Sequence, residues 1–154
     1  NMATTVTAAD LTVTITESYS LNGVDYGNTT NKTFASNGEV IQRIMTIAAQ
    51  SRGSAWTNII NFGAADAAGV ADITNYKYFR IKNLDDTNFL ELRVTGTADS
   101  FFVKIKAGET FLLMDNEIDA VASSTTVGTL TDITQIGANA NTDAIDIEFV
   151  CVTA

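Results

Sequence analysis

Apolar and polar positions alternate with a period of two through most of this chain. Leu11, Val13 and Ile15 lie against Thr12, Thr14 and Thr16 in LTVTITESYSL (11–21), the mark of a half-buried strand. Asn22-Gly23 follows as a turn pair. Residues 24–39 are rich in Gly and Asn, with room for one short strand near Lys32–Ala35. In EVIQRIMTIAA (39–49), Val40, Ile41, Ile44, Met45 and Ala48 fit a helical face, with Ser36 and Glu39 as a capping box. The same residues also alternate with Gln42 and Thr46, and two β-branched faces favour a strand buried on both sides. A strand is predicted. Ala55–Phe62 is predicted as another, and the Ala/Gly-rich 63–72 as a loop.

The organising stretch is Tyr76–Met114, YKYFRIKNLDDTNFLELRVTGTADSFFVKIKAGETFLLM. It predicts a four-strand meander turning at NLDDTN (83–88), near Gly96 and at Ala107-Gly108-Glu109. Further strands are predicted at 117–122, Leu130–Ile136 and Ala144–Thr153, with a loop at 123–128 and GANANT (137–142) as a turn. Nine or ten short strands at this spacing predict an all-β fold, a single antiparallel β-sandwich with a jelly-roll-like winding. One domain over residues 1–154 is expected. Residues 1–10 are read as a flexible N-terminal arm, Asn1 as an expression-tag remnant and Met2 as the natural start. No basic segment followed by an apolar one opens the chain, so no secretion signal is expected, and the acceptor patterns at Asn28 and Asn31 are read as chance.

Composition narrows the chemistry. The chain has no histidine, so neither a Ser–His–Asp triad nor an HExxH zinc site can be built. Asp85 and Asp86 are adjacent carboxylates, but they sit in a turn where Asp serves the backbone, and no enzyme is expected. The same loop offers oxygens that could suit calcium, without EF-hand spacing; an ion-free turn is the better reading, and no metal or cofactor is expected. Asp115, Glu117 and Asp119 are equally unspecific. The net charge of −9 repels phosphate backbones and anionic lipid, which argues against nucleic-acid or membrane partners. No run of 18 apolar residues exists to span a membrane. The single cysteine, Cys151, lies in an apolar run and reads as a buried small hydrophobe.

Two pairs of adjacent aromatics break the pattern. In Tyr78-Phe79 and Phe101-Phe102 the neighbours must point to opposite faces of a strand. One ring of each pair then lies outside the core, where another subunit would cover it. Tyr78, Phe102 and the only tryptophan, Trp56, are the candidate interface residues. If Trp56 shared a concave surface with Tyr76 or Tyr78, a carbohydrate- or receptor-binding module of a fibre would be favoured instead.

The segments LTVTITESYSLNG, EVIQRIMTI, YKYFRIKNLDDTNFLELRV and FFVKIKAGETFLLM, taken together, resemble small virion structural proteins of tailed bacteriophages. The shared pattern is a strand ending in RIKN, an Asp/Asn/Thr turn, a second strand and a hairpin around AGE, and it extends over about residues 11–153. The resemblance implies a β-sandwich that assembles as a symmetric homo-oligomer and packs with other virion proteins on a head, neck or tail. It implies a decoration, connector or tail component made in the bacterial host cytoplasm, and it supplies no catalytic residues.

Overall fold

The computed structural model describes residues 6–51, 55–65, 67–97, 100–119, 126 and 128–154. Residues 1–5 of the predicted arm, 120–122 of the strand predicted at 117–122, and most of the following loop lie outside them. The chain runs β1 (Ala9–Glu17), β2 (Ser20–Leu21), β3 (Val24–Asp25), β4 (Asn28–Asn37), β5 (Glu39–Ile47), β6 (Thr57–Gly63) and β7 (Ala71–Asp72). It continues β8 (Tyr76–Asn83), β9 (Leu90–Gly96), β10 (Ser100–Ile105), β11 (Thr110–Leu113), β12 (Glu117–Ile118), β13 (Thr131–Ala140) and β14 (Ile145–Thr153). Of these fourteen, β2, β3, β7 and β12 have two residues each, which leaves ten longer strands among the described residues.

Eight of the ten form two facing sheets, ordered β11-β8-β14-β5 and β10-β9-β13-β6, with β7 and β12 at the margins of the second. Every pairing within the eight is antiparallel. Successive strands change sheet at every connection except β9–β10, the winding of a jelly-roll-like β-sandwich. The predicted meander is therefore corrected: of its three turns, only the β9–β10 one closes a hairpin. The other two are arches between sheets, because the strands on either side of each carry apolar faces that must enclose one core. Phe79 and Ile81 come from one sheet and Leu90, Leu92 and Val94 from the other, all of them fully buried in a single cluster. Phe79 stacks on Phe149 at 6.1 Å between ring centroids.

Both arches converge on one buried polar residue. The Asn83 side-chain amide donates to Asn88 O (2.9 Å) and to Ile105 O (3.2 Å). Its Oδ1 accepts from the Asp85 N–H (3.0 Å). Asp85 then closes the arch by accepting from the backbone N–H groups of Thr87 and Asn88. Those bonds, Asn88 first and Thr87 second, hold its carboxyl below the usual carboxylate range. Asn83 and Asp85 of NLDDTN thus serve the backbone, as expected, while Asp86 accepts from the Thr87 hydroxyl.

Two predicted elements differ. Residues Gly137–Ala140, expected in a turn, extend β13 and are buried. Small side chains fit there against the core, and Asn139 pairs with both backbone groups of Gln50 (2.8 and 3.0 Å). Segment 39–47 is a strand, as predicted, but only one of its faces is covered. Ile41, Met45 and Ile47 pack toward the core, whereas Val40 and Ile44 on the outer face are 64% and 65% exposed.

Candidate interaction surfaces

The largest departure from expectation is at the start of the chain. Leu11–Leu21 was expected as a half-buried strand, and residues 24–39 as turns around one short strand. Instead β1 and the ten-residue β4 pair only with each other, as a two-stranded ribbon almost wholly exposed. No residue of 6–37 belongs to the core cluster. The ribbon is amphipathic across its faces. Leu11, Val13 and Ile15 share one side with Phe34, Lys32 and Thr30, and the other is a ladder of Thr12, Thr14 and Thr16 against Thr33, Asn31 and Thr29. Hydroxyl pairs cross the ladder at Thr12–Thr33 (3.2 Å) and Thr29–Thr16 (3.3 Å).

At the tip, β2 and β3 close around Asn22 and Gly23, both at positive φ (51° and 79°), the backbone that a two-residue hairpin turn requires. Tyr19 and Tyr26 pair there at 5.8 Å, and with Leu21 and Val24 they form an exposed apolar cluster.

The root of the arm is built to hold a direction. Between Ala9 and Leu11 the register shifts, and Ser36 takes φ 59°. This strained conformation is held by the Asp10 carboxylate, which accepts from the Ser36 N–H at 3.1 Å. The Asn37 amide donates to Ala9 O and Phe34 O (2.8 and 2.7 Å), and Gly38 N–H donates to Thr153 O on β14. Phe34 lies against Tyr78 at 6.3 Å.

That contact decides the fate of one predicted interface residue. Tyr78 does point out of its sheet, opposite the buried Phe79, but Phe34 of the same chain covers it and it is only 6% exposed. Trp56 and Phe102 come together on the outer face of the second sheet, ring centroids 5.4 Å apart, with Phe102 61% exposed. Between them run Arg93, opposite Phe102, and Gly137, opposite Arg93. A Cβ on Gly137 would stand 3.3 Å from Thr57 O and 3.7 Å from Trp56 Cβ, so glycine there makes room for the indole. The shared surface of Trp56 with Tyr76 or Tyr78 is not formed: Tyr76 is in the core, edge-on to Phe62, and Tyr78 is on the other sheet. Sequence reasoning missed the arm. Its signal was the absence of any apolar alternation in Asn28–Asn37 to match that of Leu11–Ile15.

Among the described residues, no group of three His, Cys, Asp or Glu side chains is gathered as a metal-ligand set. No helix among them is long and apolar enough to cross a membrane. Cys151 is buried, and burial, reinforced by nearby Glu39, pushes its thiol from 9.0 up to about 12. The folded state therefore favours the protonated thiol. That stability is complete below pH 9, where the unfolded thiol is also protonated, and is lost as pH rises toward 12. Tyr76, raised mainly by its own burial, adds a loss in the same direction above its ordinary value of 10.0. Thermal unfolding scans are expected to show a flat midpoint from pH 7 to 9 and a fall beyond it, shallower in Cys151→Ala. The native thiol is expected to stay unreactive to a disulfide reagent until the protein unfolds.

No family model, no curated protein and no solved structure matches this chain.

Proposed function

We propose that this protein is a non-enzymatic structural subunit that assembles with copies of itself, as a decoration, connector or tail component of a tailed-phage virion. The observation that carries the reading is the arm. An isolated two-stranded ribbon is marginal in water, because pairing alone does not offset the entropy of ordering it. This ribbon has a built root, an apolar face and an apolar tip; Phe34 near its root lies against Tyr78, while Ile15, Tyr19, Leu21, Val24 and Tyr26 stand exposed. Such a feature is stabilised by a neighbour. The virion setting rests on the sequence resemblance, and other virion proteins are the further partners it implies. Absolute mass in solution, from size-exclusion chromatography with light scattering, tests the assembly. A closed oligomer is expected. A single-chain mass at every concentration would refute the reading.

A second reading, a carbohydrate-binding module, draws on the Trp56–Phe102 pair. An aromatic surface bordered by the Asn61 and Gln135 amides, themselves bonded at 3.1 Å, is a common way to hold a sugar ring. Titrating oligosaccharides while following tryptophan emission separates the two. The structural-subunit reading predicts no shift of the Trp56 signal, and a saturable shift abolished in Phe102→Ala would favour the sugar.

A further inference from the structure

We infer that the β1–β4 arm of one copy pairs along the free edge of β5 of a neighbouring copy, with its apolar face flush with Val40 and Ile44. The inference rests on the assembly reading and names the surface that the assembly uses.

Three features of β5 call for an added strand. It pairs with β14 on one side, and among the described residues no strand pairs with its other edge. Natural edges of that length are blunted by charged side chains, proline or a covering segment; Glu39–Ile47 has no lysine or proline, and its two charged residues, Glu39 and Arg43, leave Ile44–Ile47 without a charge. On its outer face, Val40 and Ile44 are the most exposed large apolar side chains of the sandwich. On its inner side, the sheets stand open beside the edge in a cleft of about 420 Å³ lined by Ile41, Arg43, Ile60, Val70 and Phe149. A strand laid beside β5 would satisfy the edge, flank Val40 and Ile44 with apolar side chains, and close the side of the cleft.

The arm matches this demand. β1 has nine residues and a free edge, and β4 has ten and a free edge. Its apolar side chains lie on one face, so a single docking orientation buries Val13 and Ile15 together. Pairing arm to arm would cover the ribbons but leave Val40, Ile44 and the cleft open, so the acceptor is the sandwich of a second copy.

Area sets the form of the assembly. A ribbon of about 30 Å by 10 Å presents roughly 300 Å² of flat surface per face. A stable interface needs about 800 Å² per partner. One arm is a weak contact. An arm and a β5 edge are different surfaces, so each subunit donates one contact and accepts another, and such contacts close as a reciprocal dimer or a ring where the rotation between copies allows and run on as a filament where it does not. Ring closure makes each weak contact effectively intramolecular.

The test uses full-length chains with Cys151→Ala, so that the introduced thiol is the only one. One preparation carries Lys32→Cys, beside Val13 on the apolar face of the arm, and the other carries Gln42→Cys, between Val40 and Ile44 at the middle of β5. Both positions are exposed, and the central placement serves either strand direction. The two are mixed under dissociating conditions, reassembled and treated with a short bismaleimide. The expected result is a covalent product at twice the 16.4 kDa chain mass in the mixture, well above either preparation alone. A mixture no different from its components, or a dominant Lys32→Cys product by itself, overturns the docking. Light scattering on the same samples separates the two failures. An intact oligomer without the mixed product sinks the β5 surface alone, and a monomer sinks the assembly reading with it.

Discussion

Replacing residues 14–31 with Asn-Gly, so that Val13 turns directly back to Lys32, is expected to leave a folded sandwich and reduce the assembly to single chains. Val13 and Lys32 are cross-strand partners, and a two-residue Asn-Gly loop is the turn such a pair accepts. The excision removes the tip, Ile15 and the distal Thr ladder. It spares Leu11, Phe34 and the bonds of Asp10 and Asn37 that hold the root. The core cluster loses nothing, since none of its members lies in the arm. Stability should change by less than about 1 kcal/mol, a shift of about 2–4 °C in midpoint at this chain length. The mass read by light scattering should fall from that of the oligomer to that of one shortened chain. An unchanged oligomer would show that the assembly does not use the arm, and a collapsed midpoint would show that the ribbon supports the sandwich.

The second large effect is at Asn83. Asn83→Leu is expected to cost about 3 kcal/mol, from three hydrogen bonds, one buried and two partly buried, at about 1 kcal/mol each. Removing the amide leaves Asn88 O, Ile105 O and the Asp85 N–H short of a partner, where both arches meet. Asn83 is fully buried, so water cannot take its place without opening the packing. Urea unfolding of Asn83→Leu and Asn83→Ala distinguishes the causes. If packing volume mattered most, leucine would recover much of what alanine loses. The hydrogen-bond account predicts that leucine recovers little, with the midpoint moving and the slope unchanged. A leucine variant as stable as the parent would refute it.

The same residue shows why the topology was only partly legible. Tyr76–Met114 reads correctly as four strands, and in the first three the apolar set of the alternation (Phe79 and Ile81; Leu90, Leu92 and Val94; Phe101, Val103 and Ile105) faces the core. A turn between two alternating strands looks the same in sequence whether it closes a hairpin or arches between sheets. The difference lies in whether the apolar faces lie side by side or oppose each other, and Asn83 bonds to both arches only once that packing exists. In Gly137–Ala140, small residues that normally mark a turn became strand because Asn139 found the backbone of Gln50, 89 positions away in sequence.

The candidate interface divides the same way. Adjacent aromatics necessarily point to opposite faces, so an outward ring at Tyr78 and at Phe102 follows from strand geometry alone. Which outward ring stays uncovered depends on distant chain. Phe34 covers Tyr78, while Trp56 reaches Phe102 across Gly137 and Arg93.

By itself the sequence determined the all-β class, most strands of the sandwich and their apolar faces, the strand character of 39–47, and the lack of histidine chemistry. These are local properties, carried by side-chain period and residue type. Tertiary structure alone decided the crossing of the chain between sheets, the burial of Tyr78, the open edge of β5, and the arm. Alternation in β1 says that one face is apolar. Whether that face meets a core, solvent or another copy depends on where the sandwich closes, and the sandwich closes without it.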